Sequence, residues 1–201
     1  LAPALFPQEY LLLPSLAETY ELQLAYSEAR SLSPDDLRTR GAYFMKVGEA
    51  FTHHFRLCSG APLHLAEDSS ERLRSFFKRN LYRTGYASHG LFPYRGKFHP
   101  QMIRALINVM KLDRGDVLLD PMMGSGTTLI EASIMGIRSV GLDASRFCVT
   151  MTNAKAAALA VRVEESKRGA SMLLKWAEGR SGIKNGIPPV EKQEALREVI
   201  D

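Results

Sequence analysis

Leu118-Leu119-Asp120-Pro121-Met122-Met123-Gly124-Ser125-Gly126-Thr127-Thr128 is the stretch that decides the fold of this chain. The apolar run Val117-Leu118-Leu119 leads into it and ends in an acid, Asp120. A proline and a tight Gly-Ser-Gly turn follow. Thr127-Thr128-Leu129-Ile130-Glu131-Ala132 then continues in a helix-compatible pattern. Strand, glycine turn and helix start, in that order, hold a nucleotide-like ligand against a helix N-terminus. The alternative is an ordinary strand–turn–helix capped by Ser125 or Thr127.

Three glycine-loop chemistries compete for this turn. A phosphate-binding P-loop needs Gly-x-x-x-x-Gly-Lys-Ser/Thr, and no lysine follows Gly126, so ATP or GTP hydrolysis is set aside. A dinucleotide site wants Gly-x-Gly-x-x-Gly, and Leu129 stands at the third glycine. S-adenosylmethionine has no phosphate. It asks for close backbone approach and for acids near its amino-acid and ribose ends. Asp120 supplies one acid. Arg138-Ser139-Val140-Gly141-Leu142-Asp143 reads as a second strand ending in another. An acid about 20 residues past the glycine turn is where ribose hydroxyls are accepted.

Asp-Pro-Met-Met-Gly-Ser-Gly-Thr-Thr resembles the Asp-Pro-Phe-x-Gly-Ser-Gly-Thr-Thr signature of amino-group methyltransferases, which modify the exocyclic amine of adenine or cytosine in DNA. Tyr94-Arg95-Gly96-Lys97-Phe98-His99-Pro100-Gln101 is similar to the motif that precedes this loop in that family, and Met102 to Ile107 to the helix after it. Gly141-Leu142-Asp143 is similar to the family's ribose-site triplet. The likeness covers roughly residues 92–160. It implies an α/β, Rossmann-like class I methyltransferase domain, here incomplete, with helical additions at both ends. It implies S-adenosyl-L-methionine as cofactor. The site would take Lys97, Phe98 and His99 from the upstream motif. Asp120, Pro121, Met122, Gly124, Ser125, Gly126, Thr127 and Thr128 would come from the loop, and Asp143 with Ala144 from the second strand end.

The family's catalytic motif, Asp/Asn/Ser-Pro-Pro-aromatic, does not occur in these 201 residues. Its first side chain accepts from the target amine, and its ring stacks on the flipped base. Pro188-Pro189 is flanked by Ile187 and Val190 and reads as a turn. No catalytic residue is therefore nominated. The chain opens on Leu1 and stops at Asp201 after a helical stretch. Both ends suggest the cofactor half of a longer enzyme, completed by a C-terminal half or a second chain. Three functions stay open. The first is a DNA adenine-N6 or cytosine-N4 methyltransferase in a modification setting. The second is an RNA guanine-N2 methyltransferase, since those enzymes carry a similar loop followed by Ile-Glu-Ala. The third is a non-catalytic methyltransferase-like subunit.

Composition is compatible with this reading without deciding it. A 45% hydrophobic content permits a core, and a formal charge of +4 with pI near 9.1 gives modest support to a nucleic-acid partner. No apolar run is long enough for a transmembrane helix. Leu1 to Pro7 lacks the basic start of a signal peptide. Cys58 and Cys148 are isolated thiols, so a reduced, cytoplasmic protein is the default.

Arg72, Arg74, Lys78, Arg79, Arg83, Arg95 and Lys97 run without an intervening acid and alternate with aromatic residues. Arg72 to Arg83 reads as one amphipathic helix. Its bases either contact phosphates, with Arg79, Arg83 and Arg95 as candidates, or line a solvated face. His53 and His54 are adjacent and diverge, and His64 and His89 are isolated, so no metal site is expected. His99 precedes Pro100 and either orients the cofactor or caps the following helix. Three regions result: a mainly helical 1–90, a cofactor-binding 91–163, and a helical insert, 164–201, for a target or partner. Ser15 with Glu18 is expected to cap the first long helix. Ser33-Pro34 is expected to start another, and 42–55 is helix or helix plus strand. The lone Trp176 is expected in a core.

Overall fold

The structure is a computed structural model, and it describes residues 5–58, 85–92 and 94–179. The chain divides into two compact units after Leu159, described separately below. The basic stretch carrying Arg79 and Arg83, and the expected helix over 191–200, lie outside the described residues.

The first unit opens with strand β1 (Tyr10–Leu12), helices α1 (Thr19–Ser31) and α2 (Pro34–Arg40), then β2 (Phe44–Val47), β3 (Ala50–Phe51) and the short α3 (His53–Cys58). The capping box of α1 is set later than expected. Glu18 rather than Ser15 occupies the N-cap, with Glu21 returning to the Glu18 N–H at 3.0 Å. Carboxylates satisfy the first amides as hydroxyls do, and favour the positive end of the helix. Helix α2 starts as expected, with Ser33 Oγ accepting the Asp36 N–H and Pro34 in the first turn. Residues 44–47 and 50–51 are strands. β1, β2 and β3 form an antiparallel sheet, Gly48 turning between β2 and β3 at φ 63°. Phe6, Leu37, Tyr43, Phe44 and Val47 fill the core beneath it. Phe6 and Tyr10 meet the Phe44 ring edge-on at 5.8 and 5.9 Å.

The rest of this unit is helix α4 (Pro100–Val109), strand β4 (Val117–Asp120), α5 (Thr127–Ile134), β5 (Arg138–Gly141) and α6 (Arg146–Ala160). β4 and β5 are parallel, Leu119 beside Val140, joined through α5 as a βαβ crossover. Ile103 and Ile107 of α4, Ala132 of α5, Ile137 and Leu118 form a second core on one face of this sheet. On the other face Val117, Leu119, Val140 and Leu142 are each about half exposed (49–58%). In the second unit α7 runs from Val163 to Gly179, within the segment expected to be a helical insert. Trp176 is 42% exposed on this helix, contrary to the expected core position.

A buried polar joint ties the first sheet region to α4. Glu28 is fully buried and accepts from the Ala42 N–H at 3.0 Å and from Asn108 Nδ2 at 2.6 Å. Asn108 Oδ1 in turn accepts from Arg40 Nε at 2.8 Å. Burial raises the Glu28 carboxyl to about 7, against the lowering effect of those hydrogen bonds. The folded protein therefore holds a proton that the unfolded chain releases near 4.5. The stability Glu28 confers is full below that pH and is lost as pH rises through 7, amounting to about 3 kcal/mol. His54 opposes it in the same range. Burial lowers its imidazole to about 3, so its contribution grows as pH rises. The difference between wild type and Glu28→Gln isolates the first effect. In denaturant unfolding, that difference is expected to move about 3 kcal/mol in favour of glutamine between pH 5 and pH 8. A difference independent of pH contradicts the assignment.

Candidate functional site

The glycine turn is fixed by backbone bonds before any side chain acts. Leu142 N donates to the Asp120 carbonyl at 2.9 Å, and Met123 N donates to the Leu142 carbonyl at 3.0 Å, so the loop leaves β4 stitched to the end of β5. Gly126 N closes the turn on the Met123 carbonyl at 2.8 Å. Gly124 and Gly126 take φ of 50° and 74°, the left-handed region that glycine enters freely. Gly126 itself is the N-cap of α5. Neither Ser125 nor Thr127 caps the helix, and their hydroxyls lie 3.5 Å from each other.

A cleft of about 650 Å³ opens over this turn. Tyr94, Arg95, Gly96, Lys97 and Phe98 form one wall. Pro121 to Ser125 and Thr127 form the second, and Asp143 with Ala144 closes the end. Nine of the thirteen sequence-nominated cofactor residues therefore meet: Lys97, Phe98, Pro121, Met122, Gly124, Ser125, Thr127, Asp143 and Ala144. Arg95, nominated for nucleic acid, joins them. The other four stand behind the lining. Asp120 Oδ1 accepts the Met122 N–H at 3.1 Å, shaping the turn from below. Gly126 and Thr128 belong to the start of α5. His99 holds the N-cap position of α4 through its backbone, and its side chain makes no capping bond.

Asp143 is the organised acid of the cleft. Its Oδ2 accepts the Gly124 N–H at 2.9 Å and its Oδ1 the Ser145 N–H at 2.8 Å. These two backbone donors hold its carboxyl below the usual carboxylate range, so it stays ionised. Each oxygen keeps lone-pair capacity for a further donor. Burial lowers the Lys97 ammonium, which donates to the His89 carbonyl at 3.2 Å. The Tyr94 ring lies against Gly124, where a Cβ would meet its Cε1 at 3.5 Å.

Behind both walls sits a buried ion pair that the sequence reading missed. Glu131 of α5 is fully buried. Its Oε1 accepts from Tyr86 Oη at 2.5 Å and from His89 Nε2 at 2.8 Å, and its Oε2 accepts from Arg104 Nε of α4 at 2.8 Å. The Arg104 guanidinium and these hydrogen bonds hold the Glu131 carboxyl at about 2 despite burial. Burial holds His89 below its ordinary value, so the ring is a neutral donor and Arg104 carries the compensating charge. One carboxylate thereby ties the segment leading into Tyr94–Phe98 to the helix that begins at Thr127. The Ile-Glu-Ala run was the available signal for it. His54, also buried, packs edge-on to Tyr86 at 5.0 Å, while its neighbour His53 is exposed, as adjacency requires.

Strand, glycine loop, helix and a second acid surround one cleft, and the chain around it is similar to known methyltransferases. Residues 91–176 match the family described as UPF0020: RMKL-like, methyltransferase domain. The chain is 48% identical over 59 residues to Type II methyltransferase M.MjaII of Methanocaldococcus jannaschii, covering 29% of this chain and 11% of that protein. It is 40% identical over 55 residues to Type II methyltransferase M.BsoBI of Geobacillus stearothermophilus, covering 27% and 11%. It is 44% identical over 52 residues to the tRNA (guanine(10)-N2)-dimethyltransferase of Methanothermobacter thermautotrophicus, covering 26% and 16%. The resemblance to methyltransferases of this kind, read from the motifs, thus holds for the segment around the cleft. The matched stretches span only about a tenth to a sixth of these relatives. Among the described residues no helix is long and apolar enough to cross a membrane.

Proposed function

We propose that this chain supplies the S-adenosylmethionine site of a methyltransferase acting on an exocyclic amine of a DNA base, adenine N6 or cytosine N4. The observation that carries the reading is Asp143, held just past β5 in the cleft wall by two backbone amides, one of them from the glycine loop. Its remaining lone pairs suit the two ribose hydroxyls. Gly124 and Gly126 allow close backbone approach, and Lys97 with Phe98 would close over the amino-acid end. The cofactor, when bound, provides an already activated methyl group on its sulfonium. This chain's residues bind and orient it, and leave the methyl open to in-line approach. Replacing Asp143 with asparagine keeps the side chain's size, removes its charge and leaves one of the Gly124 and Ser145 N–H groups without its acceptor. Calorimetry is expected to give an S-adenosylhomocysteine affinity about ten-fold weaker or worse. An unchanged affinity in the folded variant contradicts the ribose assignment.

The group that accepts from the target amine is proposed to come from a further polypeptide segment, in the same chain or a partner. The half-exposed apolar face of the parallel strand pair supports this, because all-parallel sheets are stable with both faces covered. Arg95 beside the cleft would meet a phosphate of the nucleic acid, and a cytoplasmic setting follows from such a substrate. The runner-up substrate is a guanine amine of RNA, supported by tRNA guanine-N2 methyltransferases among the relatives. The experiment is methyl transfer from labelled S-adenosylmethionine with the longest native form of the protein. DNA and RNA are offered in parallel and digested to nucleosides. Label in N6-methyladenine or N4-methylcytosine is the expected result. Label in methylguanosine moves the substrate to RNA. Bound cofactor without transfer to either leaves a non-catalytic subunit.

A further inference from the structure

Helix α6 carries a lysine inside what the sequence presents as an alanine-rich stretch. Lys155 is fully buried, and its Nζ donates to the carbonyl oxygen of Ser125 at 2.9 Å. One turn earlier Thr152, also buried, brings its Oγ1 within 3.5 Å of the Gly124 carbonyl. Two successive carbonyls of the glycine loop are thus drawn towards one face of α6. In a trans peptide the N–H points opposite to the C=O. Holding the Gly124 carbonyl against Thr152 therefore turns the Ser125 N–H away from α6. The same two loop residues line the cleft.

The cost of this arrangement is the second observation. Among the described residues no carboxylate forms an ion pair with Lys155. The charge that bears on it is Lys97, of the same sign, in the cleft wall. Burial, with Lys97 adding to it, lowers the Lys155 ammonium to about 8. A buried ammonium without a counter-charge is destabilising, and a methionine of similar length would fill the space without that penalty. Natural chains keep such costs at functional sites. The group that supplies the missing negative charge is then sought in the ligand, and the loop carbonyl is what the lysine holds until it arrives.

We propose that Lys155 is a positioning residue of the cleft: its buried ammonium fixes the glycine loop through the Ser125 carbonyl and places positive charge beneath the carboxylated end of the cofactor. The assignment rests on the S-adenosylmethionine reading of the cleft for its second half, and on geometry alone for its first.

The test compares wild type with Lys155→Met in three readouts. Melting temperature is expected to stay level or rise, since the buried charge is gone. Amide exchange at Met123 to Thr127 is expected to accelerate about ten-fold, because the loop has lost its tether. S-adenosylhomocysteine affinity is expected to fall about ten-fold. By contrast, 5′-methylthioadenosine, which lacks the amino-acid end, should lose much less. Unchanged loop exchange overturns the proposal, as does a lowered melting temperature with equal losses for both ligands, the pattern of a merely structural lysine. Thr152→Val acts on the Gly124 carbonyl without touching charge. It should accelerate exchange at Gly124 and Gly126, whose N–H groups are hydrogen-bonded to Asp143 and Met123, and spare melting, and it decides whether α6 tethers the loop should Lys155→Met fail to fold. If wild type binds neither ligand, the cofactor reading falls, and the exchange measurement still decides whether Lys155 holds the loop.

Discussion

Glu131→Ala is expected to lose about 3–5 kcal/mol of folding stability, the usual consequence of removing one member of a buried ion pair. Three donors converge on this carboxylate from outside its own helix. Without it the Arg104 guanidinium remains buried and uncompensated, and the Tyr86 hydroxyl loses its acceptor. A loss of that size is a large part of what a single domain has. It should lower the melting temperature by roughly 10 °C or more, or prevent folding at ordinary temperature. The pH dependence has a definite sign. Glu131 ionises at about 2 in the fold against 4.5 in its ordinary state. Its contribution is therefore complete above pH 4.5 and lost as pH falls towards 2. Thermal melts of wild type and Glu131→Gln from pH 3 to pH 7 should converge at the acid end and separate at the neutral end. Parallel curves contradict the role given to this group.

Gly126→Ala is expected to disable the cleft while leaving most of the fold intact. At φ 74° an alanine pays about 1 kcal/mol for the left-handed conformation. Its Cβ would also sit 2.4 Å from Thr152 Cγ2 and 2.5 Å from Thr152 Oγ1. A β-branched threonine on a helix has few rotamers with which to yield, so the loop or the start of α5 must move. The combined cost is about 2–4 kcal/mol, and the distortion falls on Ser125 and Thr127, both in the cleft wall. Binding of S-adenosylhomocysteine should become undetectable by calorimetry, with circular dichroism near that of wild type. Adding Thr152→Ala removes Cγ2 and Oγ1 but keeps Cβ at 2.9 Å, so the double variant should recover binding only in part. Full binding by the single variant contradicts the packing described for the loop.

The parts of the cleft that lie on consecutive residues were legible in the sequence. β4, the glycine loop, α5 and β5 follow one another within about 25 residues, and each announces itself locally, by an apolar run, a glycine pair or an acid at a strand end. Lys97 and Phe98 were reached through a motif. What stayed hidden joins residues far apart. Glu131 reads as a helix-surface acid until Tyr86, His89 and Arg104 are seen around it, and Lys155 reads as a solvated base in an alanine helix. Polar side chains buried by partners 27 to 45 positions away leave no periodic trace. The short strands Phe44–Val47 and Ala50–Phe51 were ambiguous because so short a stretch shows no period that separates helix from strand. His99 stands at the N-cap as one reading had it, but through its backbone: the proline after it fixed the helix start, and the imidazole makes no capping bond.

The cleft over Gly124–Gly126 is proposed to take S-adenosylmethionine and neither a nucleoside triphosphate nor a dinucleotide. Equilibrium binding of labelled S-adenosylmethionine to the folded chain tests it most directly, with S-adenosylhomocysteine, ATP and NAD as unlabelled competitors. Saturable binding of one molecule per chain, displaced by S-adenosylhomocysteine and untouched by ATP or NAD, is the predicted result. No saturable binding by folded protein, or displacement by ATP or NAD as effective as by S-adenosylhomocysteine, would contradict it.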